Sequence, residues 1–501
     1  MKVVVPERAA VEAALRARLQ VVAPVLAPEL DDSETRSTAQ FLHELSIAVK
    51  RNPSPERAWL LFIAVSATFP TQPDVDDLLR RLDLSSEGAV IVGVLSATIE
   101  GASGSGVALR GLELVDEAVV VDVNFCATNE HNTGIQRVVR ETLPHWAAAG
   151  RGMRLVAWTE DSTAMRDLDD AELDRVLHWN DRRRPDAAPA SGPETVLVPW
   201  RSRVLLAEVP LESLCAPILA ISQSSGNSIV AIGYDAIPLV SAEGQRNAES
   251  ERFAHYLAAL KHAERVVAIS ESAANEFRGF VDALASQGLQ GPEVDAVPLA
   301  VEVSPRSRVE PDPSDAGRRP LVLCVGSHEP RKNQEAVLSA GELLHREGLD
   351  FELVFVGGGS RTATSNFDDR VARLRKTGFD IRSFRRLGDD ELWGLYARAR
   401  FTAFVSLHEG FGLPVAESLA LGVPALTSNY GSLAEIAALG GCVTVDPRDD
   451  EQILAAMRTM LTDDALIERL RAEAAAIPSR GWKDYADELW LAAQLDEVGA
   501  R

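Results

Sequence analysis

The stretch SLHEGFGLPVAESLALGVPALTSNYGSLAEI, residues 406–436, decides the fold. It closes an apolar run, Phe401-Thr-Ala-Phe-Val-Ser-Leu407, with the character of a buried strand. Glu409-Gly410-Phe411-Gly412 then places two glycines where the backbone must turn tightly or approach a ligand closely. Leu413 to Leu421 reads as a short helix with Pro414 in its first turn, where a missing N–H costs little. Gly422 ends the helix and Val423-Pro-Ala-Leu-Thr427 reads as the next strand. Such a strand–loop–helix–strand unit leaves unpaired N–H groups at the helix start, a ready anion site. Glu409 and Glu417 flank it, and eight helical residues span roughly 12 Å. One anion pocket can thus sit between two carboxylates that accept hydroxyl hydrogen bonds. A nucleotide sugar has that layout, with sugar and ribose hydroxyls on either side of a diphosphate.

Glu409-Gly-Phe-Gly-Leu-Pro-Val-Ala-Glu417 resembles the E-x7-E signature of retaining GT-B glycosyltransferases, family four in particular. The resemblance implies that Glu409 faces the donor sugar and Glu417 binds the ribose, with Gly410, Phe411, Gly412 and Leu413 lining the donor site. The alternative is an ordinary Rossmann-like turn with two solvated glutamates.

Working outward, Leu321-Val-Leu-Cys-Val-Gly326 is a strand, and Ser327-His-Glu-Pro-Arg-Lys-Asn333 leads into a helix from Gln334 to His345. Arg331 and Lys332 therefore sit where a strand hands over to a helix. V-G-S-H-E-P-R-K-N resembles the family's V-G-x-x-E-P-R-K-N, which implies diphosphate binding by a guanidinium fork and a compact ammonium. Asn333 reads as the helix N-cap, and His328 lies at a position the family varies. Phe351 to Gly359 is another strand with a Gly-rich turn, and Gly388 to Tyr396 a capped helix.

Upstream, Ala118 to Asn124 reads as a buried strand, Asn129 to Gly134 as a loop and Ile135 to Leu143 as a helix. Asn132-Thr-Gly-Ile-Gln-Arg137 resembles the family's T-G-I-x-R segment, which implies that Gly134 lets the backbone approach the donor. Gln136 and Arg137 are either donor contacts or an exposed polar pair; His131 reads as a loop histidine. Further strands are expected at Met153–Trp158, Thr195–Trp200, Ile229–Tyr234 and Arg265–Ile269. Many relatives carry H-D-x-x-P where this chain has Tyr234-Asp235, so a histidine-dependent role has no counterpart here. Asp235 is an acceptor contact or a strand-end cap. Ser270 resembles the family's strand-tip serine and reads equally as an N-cap. Tyr234, Asp235 and Ser270 are thus the acceptor-side cleft candidates. Arg182-Arg-Arg184 reads as a solvated loop.

Residues 1–113 are expected to form a helical extension, with helices over Glu7–Leu19, Ser33–Arg51 and Glu56–Thr68 separated by Pro24, Pro28, Pro53 and Pro55. Asp74 and Asp76 read as helix N-terminal acids rather than metal ligands. The extension's role, whether oligomerisation, acceptor binding or packing, stays open. Residues 114–304 are expected to form an N-terminal Rossmann-like acceptor domain. A linker over 305–320, a nucleotide-sugar domain over 321–478 and a terminal helix over 479–501 returning to the N-terminal domain complete the arrangement. The expected fold class is α/β, a GT-B fold of two Rossmann-like domains facing across a cleft.

At 501 residues the length suits about two or three domains. A formal charge of −23 argues against a general nucleic-acid partner and gives no support to a polybasic membrane anchor, though peripheral contact stays open. Four scattered cysteines, Cys126, Cys215, Cys324 and Cys442, form no C-x-x-C pair and suit a reducing, cytoplasmic location. No apolar run approaches the roughly 18 residues of a membrane span.

Together the resemblance implies retaining hexose transfer with no cofactor and no metal. The partners are a nucleotide-diphosphate sugar, with GDP-mannose as first choice, and a glycan, lipid-linked or protein acceptor. The E-P-R-K-N variety resembles mannosyl- and rhamnosyl-type transferases of bacterial surface polysaccharides. The alternative is a non-catalytic glycosyltransferase-like subunit that binds a partner through its extension.

Overall fold

The computed structural model describes residues 7–30, 36–99, 107–181, 194–242, 247–300, 317–359 and 361–497. The basic run at 182–184 and most of the 305–320 linker lie outside them. Fifteen strands occur among the described residues: β1 Gly111–Asp116, β2 Val119–Asp122, β3 Met153–Trp158, β4 Met165–Asp167, β5 Thr195–Trp200, β6 Arg203–Leu206, β7 Ser228–Gly233, β8 Arg265–Ala268, β9 Glu293–Ala296, β10 Leu321–Val325, β11 Glu352–Val356, β12 Asp380–Phe384, β13 Phe401–Phe404, β14 Ala425–Ser428 and β15 Cys442–Val445. They form one sheet in the order β4-β3-β2-β6-β7-β8-β9 and another in the order β12-β11-β10-β13-β14-β15, with a side sheet of β1 and β5. All pairings are parallel except β3 with β4. Two parallel sheets wrapped in helices are the two Rossmann-like domains of a GT-B fold, and their strand ends deliver loops to one cleft.

The side sheet departs from expectation in two ways. Thr195–Trp200 is a strand, but it pairs with β1 rather than joining the main N-terminal sheet. The extension is also not helical throughout, since β1 begins at Gly111. The cause is a matched pair of kinks. Asp116 pairs with Trp200, then Glu117 and Arg201 each take left-handed backbone with φ 46° and 47°, and Val119 pairs with Arg203. Two neighbouring strands thus bend together and re-form as β2 and β6. The central strand β6 is hidden in the sequence because only Arg201 and Ser202 separate it from β5.

The extension is fused to the N-terminal domain. Buried Arg18 donates to the carbonyls of Ala64 at 2.9 Å, Val65 at 3.2 Å, Ala108 at 3.1 Å and Arg110 at 2.8 Å. Burial pulls its guanidinium down to about 10. The rings of Trp59 and Phe69 lie 5.6 Å apart, and those of Phe69 and Trp158 5.7 Å, carrying one core from the extension to β3. Pro24 does not break the first helix, which runs Arg8–Leu26. It sits in the last turn, where the bond it removes is one of few remaining. Asp74 closes a capping box with Thr71, the N-terminal acid role expected of it.

Helix Trp482–Ala492 packs on helix Gly134–Ala148. Trp146 Nε1 donates to the Ala486 carbonyl at 2.8 Å, and its ring meets Trp490 edge-on at 5.1 Å. Phe411, Val415, Leu419 and Leu433 join the same core as the N-terminal sheet, while Phe355, Phe401 and Ile453 fill the separate core under the C-terminal sheet.

Candidate active site

The C-terminal wall of the cleft is built on β10 and β13. After β10 the chain turns through Pro330–Lys332, which brings both cations to the loop after β13. Lys332 Nζ donates to both Glu409 oxygens at 2.6 and 2.7 Å, and Arg331 Nη1 to Glu409 Oε2 at 3.0 Å. Arg331 also holds the His408 carbonyl at 3.1 Å. Burial pushes the Glu409 carboxyl up, and Lys332 and Arg331 more than reverse it, leaving the group below the ordinary carboxylate range. Glu409 is therefore a fixed anion at working pH.

Two glycines let this loop meet the opposite domain. A Cβ on Gly410 would fall 2.5 Å from the Tyr234 carbonyl oxygen and 3.1 Å from Asp235 Oδ2. Gly412, at φ 114°, occupies left-handed backbone, where a side chain would also strike Leu433 Cδ2 at 2.4 Å. Ser270 Oγ reaches across to the Gly410 carbonyl at 2.6 Å while accepting from Ala273 N at 3.0 Å, so it is cap and cleft residue at once. Gly134 starts its helix with no atom but Leu413 Cδ1, 3.9 Å away, near its missing side chain.

Glu417, on helix Leu413–Ala420, is buried. It accepts from Arg137 on the N-terminal wall and, at 3.1 Å, from the Tyr396 hydroxyl. The cluster Glu409, Arg331, Lys332, Gly410, Gly412, Leu413, Glu417 and Gly134 thus meets at one cleft. Glu435 ties the walls further, accepting from Glu271 N at 3.1 Å and Ser272 N at 2.5 Å. A cavity of about 70 Å³ remains beside Glu409, lined by Ser272, His408, Tyr430 and Ser432 among others.

Four expectations change. Tyr234 turns its side chain into the domain core, where its hydroxyl donates to the Ala207 carbonyl at 2.7 Å; it contributes only its backbone to the cleft. The Phe411 ring packs in the shared core rather than lining an open donor site. Asn333 stands at the N-cap position but does not cap. In left-handed backbone at φ 53°, its amide donates instead to the carbonyls of Val405 at 3.3 Å and Pro447 at 2.7 Å. Gln136 is no exposed residue: it closes a capping box with Thr133, leaving Arg137 alone to cross the cleft. His131 is an exposed loop histidine, and His328 is buried against Phe367, its imidazole pushed down to about 4 by burial.

Asp235 caps its own turn, accepting from Ile237 N at 3.1 Å, and burial raises its carboxyl to about 6. Its Oδ2 faces Gly410, so the residue borders the cleft as well. No local signal marks Glu276, Ser241 or Tyr396. Each acts through a partner more than 20 residues away, His408 for the first two and Glu417 for the third.

Residues 308–476 match the family described as glycosyl transferases group 1. The chain is similar to the serotype-specific mannosyltransferase WbdA of Escherichia coli, 31% identical over 275 residues, covering 51% of this chain and 32% of that protein. It is also similar to the O-antigen chain mannosyltransferase B of Escherichia coli, 36% identical over 148 residues, covering 29% of this chain and 37% of the relative. The chain therefore spans about a third of the length of these curated relatives. Among solved structures, sucrose-phosphate synthase from Thermosynechococcus elongatus shares the fold. Its TM-score is 0.53 at 16% identity, over 76% of this chain and 99% of that one. The match to glycosyl transferases group 1 over residues 308–476 thus falls within a GT-B fold.

Proposed function

We propose that this protein transfers a hexose, mannose in the first instance, from a nucleotide-diphosphate sugar to a hydroxyl of a glycan, lipid-linked or protein acceptor, with retention of anomeric configuration and without a metal. GDP-mannose is the proposed donor, on the strength of the E-P-R-K-N loop and of two similar proteins named as mannosyltransferases. The observation that carries the reading is the half-buried cluster of Arg331, Lys332 and Glu409 just before helix Leu413–Ala420.

Arg331 and Lys332 would share themselves between Glu409 and the donor diphosphate, offsetting charge that grows as the C1–O bond to phosphate breaks. Such preorganised stabilisation is commonly the largest catalytic contribution. Glu409 would orient the sugar hydroxyls and Glu417 the ribose. The acceptor oxygen bonds to C1 on the face the diphosphate leaves, and its proton passes to the departing phosphate oxygen. No protein nucleophile is required. The four cysteines are free thiols, in keeping with a cytoplasmic location.

The test is thermal stabilisation and nucleotide release with a panel of nucleotide sugars, using Glu417→Ala and Arg331→Ala as controls. One donor should stabilise the protein and be slowly hydrolysed, and both variants should lose the effect. If no nucleotide or nucleotide sugar binds, the catalytic reading fails and a partner-binding role through the extension takes its place.

A further inference from the structure

His408 stands one residue before Glu409 yet points the opposite way. Its Nε2 lies 2.5 Å from Glu276 Oε1 and its Nδ1 3.1 Å from Ser241 Oγ, both on the N-terminal domain. Glu276 is itself anchored, its other oxygen accepting from Ala236 N at 2.6 Å. The His408 carbonyl meanwhile accepts from Arg331, and the next side chain is the Glu409 that Arg331 and Lys332 hold. One short peptide is therefore gripped from both domains, by its imidazole on one side and its carbonyl on the other.

We propose that His408 is a positioning residue of the transfer reaction: its bridge to Glu276 and Ser241 closes the cleft and sets Glu409 and Arg331 in place. This rests on the functional reading above for its catalytic consequence, though not for the closure itself. As an imidazolium, His408 donates to both partners and pairs with the Glu276 charge; as neutral imidazole it loses that charge pairing and the bridge weakens. The groups facing it are Glu276 from helix Glu271–Ala285, Ser241 from the end of helix Ile237–Val240, Asp235 from the loop after β7, and Glu409 and Arg331 from its own wall. The hydrogen bond His408 donates to Glu276 and the surrounding carboxylates hold the imidazole above its ordinary value, against the pull of burial. A raised imidazole contributes fully below its unfolded value of about 6.5. Its contribution fades as pH rises through the higher folded value.

The experiment follows interdomain distance by fluorescence energy transfer in ligand-free protein from pH 5.5 to 9, in wild type, Glu276→Gln, His408→Gln and Ser241→Ala. GDP-mannose hydrolysis is measured in parallel. Wild type should open as pH rises; Glu276→Gln and His408→Gln should be open and insensitive to pH. In both variants kcat for hydrolysis should fall about tenfold, roughly the worth of one charge-assisted bond, with KM for the donor little changed. Ser241→Ala should retain the pH response. Identical distances and pH profiles in wild type and Glu276→Gln overturn the proposal. If wild type hydrolyses no nucleotide sugar, the functional reading fails while the distance measurement still decides closure.

Discussion

Arg137 of helix Gly134–Ala148 and Glu417 of helix Leu413–Ala420 form a part-buried ion pair across the cleft, joining residues 280 apart in sequence. Burial alone would pull the Arg137 guanidinium down; the Glu417 charge reverses this and leaves it raised. The carboxylate proposed to receive ribose hydroxyls is thus already occupied from the opposite domain, and an incoming nucleotide has to displace Arg137.

Arg137→Ala should therefore tighten GDP binding by roughly tenfold, the scale of one charged hydrogen bond that no longer has to be broken. Isothermal titration with GDP measures it. Weaker binding would mean that Arg137 moves onto the nucleotide itself.

Gly410→Ala puts a methyl group 2.5 Å from the Tyr234 carbonyl, at a backbone atom that cannot step aside. The clash lies between domains, so each should fold while the closed cleft cannot form. Circular dichroism should match wild type, and donor hydrolysis should fall by about a hundredfold, as expected when reacting groups are displaced by the order of 1 Å.

Arg18→Ala strands four carbonyls inside the extension. Leaving a buried carbonyl without its partner costs about 1–3 kcal/mol. Because the extension shares its core with the N-terminal sheet, urea unfolding should shift for the whole N-terminal domain. A shift confined to residues before β1 would show that the extension folds independently.

Glu208 accepts from Phe125 N at 2.7 Å and Cys126 N at 3.0 Å, deep beside Asp122, and burial raises its carboxyl to about 7. A raised carboxyl binds more protons in the folded state, so its contribution is lost as pH climbs from about 4.5 to 7. The drop over that window can reach about 3 kcal/mol. Glu208→Gln should flatten it in urea titrations at a series of pH values. Equal slopes in variant and wild type would show that Glu208 stays ionised throughout.

Much of this protein was legible residue by residue. The apolar run into Glu409, the two glycines, Pro414 in the first turn and Gly422 after the last each act on their own few neighbours. The strand–loop–helix–strand unit therefore follows from local preference and spacing. Arg331 and Lys332 could be placed at a strand tip for the same reason. Sequence could not say what those charges touch. Glu409 faces two cations from another loop, Glu417 an arginine from another domain, and His408 a glutamate 132 residues away. The left-handed kinks at Glu117 and Arg201, at residues with no local preference for them, exist because two paired strands must bend together. Tyr234 shows the same division: its strand was readable, while the direction of its hydroxyl was set by a carbonyl at Ala207 on the neighbouring strand's end. Local chemistry fixes elements within a few residues. Ion pairs, caps that fail and side chains that turn inward depend on which surfaces the packed domains bring together, and only the tertiary structure decides that.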